Sequence, residues 1–112
     1  MGRFGVAELT LTQADNGKSV EAYQGDVVLI RLPENPTTGY RWAIAAIDEE
    51  IMEPSSSYFT LSSDARIGGG GERIFTFVTK SSGTTHLELK LWREWEGDSS
   101  VIQRYELTIH IG

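Results

Sequence analysis

The sequence predicts an all-β sandwich, and three observations lead there. Apolar and polar residues alternate with a period of two through most of the chain. Turn-forming residues punctuate those runs, and no segment carries a convincing helical period. Alternation of this kind describes strands with one face packed and one face wet, as in antiparallel sheets. A single domain of 112 residues is long enough to bury one such core without metal or disulfide support.

The strands are expected at Val6–Thr12, Ser19–Tyr23, Asp26–Leu32, Tyr40–Ile47, Tyr58–Leu61, Glu72–Thr79, Thr84–Trp92 and Ile102–Ile111. The last is the clearest. Tyr105, Leu107, Ile109 and Ile111 share one face, with Arg104, Glu106, Thr108 and His110 on the other. Thr84–Trp92 repeats the pattern, with Leu87, Leu89 and Leu91 set against His86, Glu88 and Lys90. Asp15-Asn16-Gly17, Gln24-Gly25-Asp26 and Ser81-Ser82-Gly83 supply turns. A helical turn is plausible only within Ala43–Met52. Trp42 on a central strand, beside a long terminal strand, favours an immunoglobulin-like antiparallel arrangement.

Composition removes several function classes. Hydrophobic residues make up 39% of the chain and charged residues 23%, as in ordinary globular proteins. The absence of cysteine excludes disulfides, thiolate nucleophiles and thiolate metal sites. A net charge of −6 without a Lys/Arg cluster argues against nucleic acid and against anionic membranes. The segment Met1–Val6 carries neither a hydrophobic signal region nor a Ser or Thr at residue six. The compartment therefore stays open, either cytoplasmic or reached by export with a presequence removed. His86 and His110 fall on outward strand positions with no nucleophile expected beside them, and Asp48-Glu49-Glu50 reads as a solvated run. No catalytic residue, cofactor or metal site is expected.

Three connections stand apart chemically. If strands alternate up and down from Asp26 onward, Pro33–Thr38, Ser62–Gly71 and Arg93–Ser100 all emerge at one end. In the first, Asn35-Pro36-Thr37-Thr38-Gly39, proline fixes a φ, two β-branched residues stiffen χ1 and glycine permits a sharp exit. On local physics alone an ordinary tight turn is favoured over a rigid docking loop. The second contains Gly68, Gly69, Gly70 and Gly71. It lacks the lysine and hydroxyl of a phosphate-binding loop and precedes a strand, which leaves a flexible connection or a close backbone approach to a partner. The third, Trp92-Arg93-Glu94-Trp95-Glu96-Gly97-Asp98, carries the residue types that dominate binding hot spots. Capping of the core and partner contact stay equally open for Trp92, and contact is favoured for Trp95.

Taken together, these motifs resemble the chagasin-like inhibitors of papain-family cysteine peptidases. Asn35-Pro36-Thr37-Thr38-Gly39 with Tyr40 and Trp42 is similar to that family's Asn-Pro-Thr-Thr-Gly signature and its aromatic-x-Trp continuation. Gly68–Gly71 is similar to its glycine loop, and Arg93 and Trp95 to the outer positions of its Arg-Pro-Trp loop. The resemblance implies an immunoglobulin-like sandwich and reversible, tight inhibition by three loops wedged into a protease cleft. It places Asn35–Gly39 over the catalytic cysteine with Thr37 and Thr38 closest, and Gly68–Gly71 along one side like a substrate strand. Trp95 would pack on the primed side with Arg93 supporting it. Glu94 stands where the family has proline, which predicts a less rigid third loop and a carboxylate near the cleft. The implied partner is a papain-like, cathepsin L-type cysteine protease, bound by a monomer. Two other readings compete: a carbohydrate- or adhesion-type module stacking ligands on Trp92 and Trp95, and a structural subunit exchanging an edge strand.

Overall fold

The computed structural model describes residues 7–61 and 70–112. Eight strands are present: β1 (Glu8–Thr12), β2 (Ser19–Ala22), β3 (Val27–Glu34), β4 (Arg41–Ala46), β5 (Met52–Leu61), β6 (Gly71–Thr79), β7 (Gly83–Trp92) and β8 (Gln103–Ile111). They form two four-stranded sheets, ordered β1-β3-β6-β5 and β2-β8-β7-β4. The alternation read from the sequence holds at the core, where Tyr105, Leu107, Ile109 and Ile111 are buried together with Leu87 and Leu89. Val28, Ile30 and Leu32 of β3, Phe75 and Phe77 of β6, and Trp42 of β4 complete the same cluster. Each such side chain contributes about 1.5–3 kcal/mol on burial. The Tyr105 hydroxyl donates to the Thr12 carbonyl at 2.9 Å, and its burial pushes the phenol pKa up.

The expected antiparallel pairing applies to the interior of both sheets but not to one edge of each. β1 pairs with β3 in parallel, and β2 pairs with β8 in parallel. The reason lies in the connection at residues 13–18. After Thr12 the chain makes a 3-10 turn, Gln13–Asp15, capped reciprocally by Thr12 and Asp15. It then crosses to the other sheet, where Gly17 N–H donates to the Glu106 carbonyl at 2.7 Å. β1 and β2 thus lie in different sheets, and each meets a neighbour running its own way.

Three boundaries also differ from expectation. β5 begins at Met52, six positions before Tyr58, because Pro54 and the serines at 55–57 conceal an exposed edge strand with a register shift between Pro54 and Ser56. β3 runs on through Pro33 to Glu34. The helical turn considered in Ala43–Met52 amounts to two bonds, from Ile51 and Met52 N–H to the Asp48 carbonyl, after a strand that ends at Ala46. Val6 lies outside the described residues. The up-down alternation expected from Asp26 onward does hold, since Glu34 pairs opposite Gly71, Leu61 opposite Gly71, Arg41 opposite Trp92 and Leu91 opposite Gln103. The connections β3–β4, β5–β6 and β7–β8 therefore leave from the same end.

Candidate functional site: three loops at one end of the sandwich

The first loop is short and held by its own atoms. Asn35 caps a 3-10 turn, Pro36–Thr38, by accepting from Thr37 N–H at 3.0 Å and from the Thr37 hydroxyl at 2.7 Å. The Thr38 hydroxyl donates to the Asn35 carbonyl at 2.8 Å and accepts from Tyr40 N–H at 3.2 Å. Gly39 closes the turn at φ +79°, a left-handed value that a side chain would strain. Asn35, Pro36, Thr37 and Thr38 remain exposed. The loop thus presents an uncharged tip whose geometry is set before any partner arrives.

The third loop braces the first. Both Nε and Nη2 of Arg93 donate to the Thr38 carbonyl, at 3.3 and 3.1 Å, and the guanidinium sits 4.4 Å from the centre of the Tyr40 ring. The Trp95 indole lies against Gly39, so that a Cβ there would come within 2.7 Å of Cη2. Trp95 is nonetheless 71% exposed, which leaves most of the indole for another surface. Where the family has proline, at Glu94, hydrogen bonds close this loop. The buried Ser100 hydroxyl accepts from Arg93 N–H at 2.9 Å and lies 2.6 Å from the Gly97 carbonyl, while Glu96 N–H closes onto the Arg93 carbonyl at 3.0 Å.

Charge in the third loop is unevenly committed. Glu96 lies 3.5 Å from Arg93, and Asp98 lies 2.9 Å from Lys90. The hydrogen bond from Lys90 holds the Asp98 carboxyl below its ordinary pKa. Glu94 is exposed and has no ion pair among the described residues. Lys90 also covers the face of Trp92, its ammonium 3.5 Å from the ring centre. With Lys90 on Trp92 and Trp95 against Gly39, the two indoles do not form the continuous platform that a stacking module needs.

Of the second loop, Gly68 and Gly69 lie outside the described residues. Around Gly70 a Cβ would meet nothing within 4 Å, so its backbone is open to approach. Gly71 has a different reason to be glycine. A Cβ there would lie 2.6 Å from Phe59 Cζ and closer still to the Thr60 carbonyl, because β5 packs tightly against it. Gly70 and Gly71 share an open groove with Thr37, Thr38, Arg93 and Ile102, so all three loops meet there. On the opposite flank of the first loop, Pro36, Gly39, Phe59, Arg73, Glu94 and Trp95 line a second depression.

The sequence model of the chagasin family peptidase inhibitors, I42, matches residues 21–109. The chain belongs to the chagasin family. It is 34% identical over 101 residues to chagasin from Trypanosoma cruzi, covering 85% of this chain and 90% of that one. Among solved structures it resembles Leishmania mexicana ICP, with a TM-score of 0.65 at 31% identity, over 88% of this chain and 90% of that one. The cysteine protease inhibitor EhICP2 from Entamoeba histolytica shares the fold, with a TM-score of 0.87 at 22% identity over 99% and 100% of the two chains. Chagasin-family proteins are protease inhibitors rather than enzymes.

Several residues that shape the chagasin-type loop end were not singled out in the sequence. Ser100 closes the third loop, and Glu34 and Arg73 lie beneath the first loop. None carries a local signal, because each acts through a partner distant in sequence. His86, Glu88 and Glu106 also gather on the outer face of β7 and β8, their ligand atoms within 4.8 Å of one another. These groups already have partners within the sheet, where Arg104 binds Glu88 and His86 Nε2 lies 3.5 Å from Glu106.

Proposed function

We propose that this protein inhibits papain-like cysteine proteases of the cathepsin L type, acting as a single-domain monomer that fills the active-site cleft with its three loops. The observation that carries this reading is the brace between the first and third loops. Arg93 on the Thr38 carbonyl and Trp95 against Gly39 make one preformed ridge, so little freedom is lost on docking. The tip, Pro36 to Thr38, is narrow and uncharged, which suits a cleft floor containing the catalytic cysteine. Gly70 and the adjoining Gly68 and Gly69 would offer main chain along one wall, and Trp95 would supply the aromatic anchor on the other, with Arg93 behind it and Glu94 at its side. Such interfaces bury about 1,600 Å² in total.

The same geometry supports resistance to cleavage. Hydrolysis needs a carbonyl free to enter the oxyanion hole in line with the nucleophile. The Asn35 carbonyl accepts from the Thr38 hydroxyl, the Pro36 carbonyl from Gly39 N–H, and the Thr38 carbonyl from Arg93. Turning any of them toward the protease would break the bonds that hold the ridge. Occupancy without a correctly presented scissile bond is inhibition.

The test is steady-state inhibition of papain and a cathepsin L-like protease, with trypsin as control. Competitive, reversible inhibition of the cysteine proteases alone is the expected result, with the protein recovered uncut. No inhibition at micromolar protein would overturn the reading.

A further inference from the structure

Directly beneath the first loop lies a buried ion pair, Glu34 with Arg73. Arg73 Nη2 and Nε donate to Glu34 Oε2 at 2.9 and 3.2 Å, and the two side chains are only 2% and 12% exposed. In every other ion pair among the described residues, at least one side chain is 24% exposed or more, which singles this pair out. Burying two charges is costly, and well-packed apolar replacements of similar size often serve stability as well or better. Folding energy alone therefore gives no reason for a salt bridge at this place.

Geometry gives one. The first loop joins β3 to β4, which lie in different sheets, so no strand ladder sets the separation of its two feet. The Glu34 carboxylate does it instead. As the last residue of β3, Glu34 accepts through Oε1 from the N–H of Trp42, near the start of β4, at 2.7 Å. The Trp42 indole returns a bond to the Pro33 carbonyl at 2.9 Å. Through Oε2 the same carboxylate holds Arg73, two positions beyond Gly71 on the strand that leaves the glycine loop. One side chain thus ties both feet of the first loop to the foot of the second, across the gap between the sheets.

We propose that Glu34 and Arg73 are positioning residues for inhibition, setting the height and tilt of the Asn35–Gly39 ridge relative to the glycine loop while touching no protease atom themselves. The proposal rests on the inhibitor reading, and its test includes a measurement on the free protein that does not. Three variants are compared: Glu34→Gln, Arg73→Met, and the doubly apolar Glu34→Leu with Arg73→Met, which keeps the site filled. A core variant at the far end of the sandwich, Met52→Ala, serves as a stability control, since Met52 is fully buried at the start of β5.

Dissociation from one cysteine protease is measured together with unfolding in urea and with amide exchange of Thr38 and Gly39, whose N–H groups bond to Asn35 and Pro36 carbonyls. The expected result for the double variant is a stability loss no larger than that of Met52→Ala, from the orphaned Trp42 N–H, with dissociation at least about tenfold faster, since an apolar pair can replace the ion pair but not the tie to Trp42. Exchange at Thr38 and Gly39 should quicken by a similar factor. Met52→Ala should lose stability yet keep dissociation within about twofold, because distant sites act independently. If the wild type fails to inhibit, the exchange data alone decide the positioning role. Unchanged exchange in all three variants, or dissociation that merely follows stability in the same way as Met52→Ala, overturns the proposal. If Glu34→Gln and Arg73→Met are unfolded, the double variant decides alone.

Discussion

Strand β3 has a buried carboxylate at each end of its apolar inner row, Asp26 beside the turn into the strand and Glu34 beside the loop out of it. Asp26 accepts from main-chain amides, Ala7 N–H at 3.1 Å and Tyr23 N–H at 2.9 Å, while its own carbonyl takes Thr79 N–H at 3.0 Å. Glu34 takes an amide from the opposite sheet and a guanidinium from a neighbouring strand. One carboxylate fastens main chain where strands turn and meet. The other fixes the spacing between two sheets so that an exposed loop stands in one place. Closing a sandwich and presenting a surface are thus separate tasks, and the two ends of one strand divide them.

If that division is right, a change at Asp26 harms folding and spares inhibition. Asp26→Ala leaves two partly buried amides without their acceptor, at about 1–3 kcal/mol each, so urea unfolding should register a loss of about 2–6 kcal/mol. The molecules that remain folded should inhibit with an unchanged constant. A fully folded Asp26→Ala protein with weakened inhibition would break the comparison, because it would join the turn end to the binding task.

At the loop end the balance should reverse. Trp95→Ala is expected to weaken inhibition by about 2–4 kcal/mol, while unfolding shifts by no more than about 0.5 kcal/mol for so exposed a side chain. Arg93→Ala should cost less in affinity, about 1–2 kcal/mol for two hydrogen bonds from a charged donor to a carbonyl. Inhibition constants for the two variants against one protease decide the order. Equal or reversed losses would mean that holding Thr38 in place matters at least as much as the anchor at Trp95.

The smallest effect is expected at the side crossover between β1 and β2. There Asp15 accepts from Thr12 N–H at 2.9 Å with Lys18 3.3 Å away, chiefly the former holding its pKa below the ordinary 3.8. Folding therefore favours the ionised form. That contribution is complete above the ordinary carboxylate range and is lost as pH falls through the lowered folded value. Asp15→Asn should lower stability at pH 7 by less than about 1 kcal/mol, given the exposure of the pair, and by progressively less as pH falls below the ordinary carboxylate range. A deficit that persists in acid would assign the effect to shape rather than charge.

Much of this was legible in the sequence because period-two alternation is a local code. Whether Leu107 faces inward follows from its neighbours, and strand parity alone sent the three connections to one end. The edge strand at Met52–Ser57 was hidden because an exposed edge has no apolar face to alternate, and Pro54 argues locally against a strand. The parallel edge pairs were hidden for another reason: alternation fixes which face a residue takes, not which sheet its strand joins.

By itself, then, the sequence determined the strands that build the core, the face each residue takes, and the loops that carry unusual chemistry. Only the tertiary structure decided what holds those loops. Arg93 reaches a carbonyl 55 positions away and Arg73 a carboxylate 39 positions away. Gly71 owes its missing side chain to Phe59 and Thr60 on the adjoining strand. Such partners are set by how two twisted sheets stack, and no run of neighbouring residues records that distance. Backbone periodicity writes a fold locally, whereas a rigid binding edge is made by side chains that meet only after the sheets have closed.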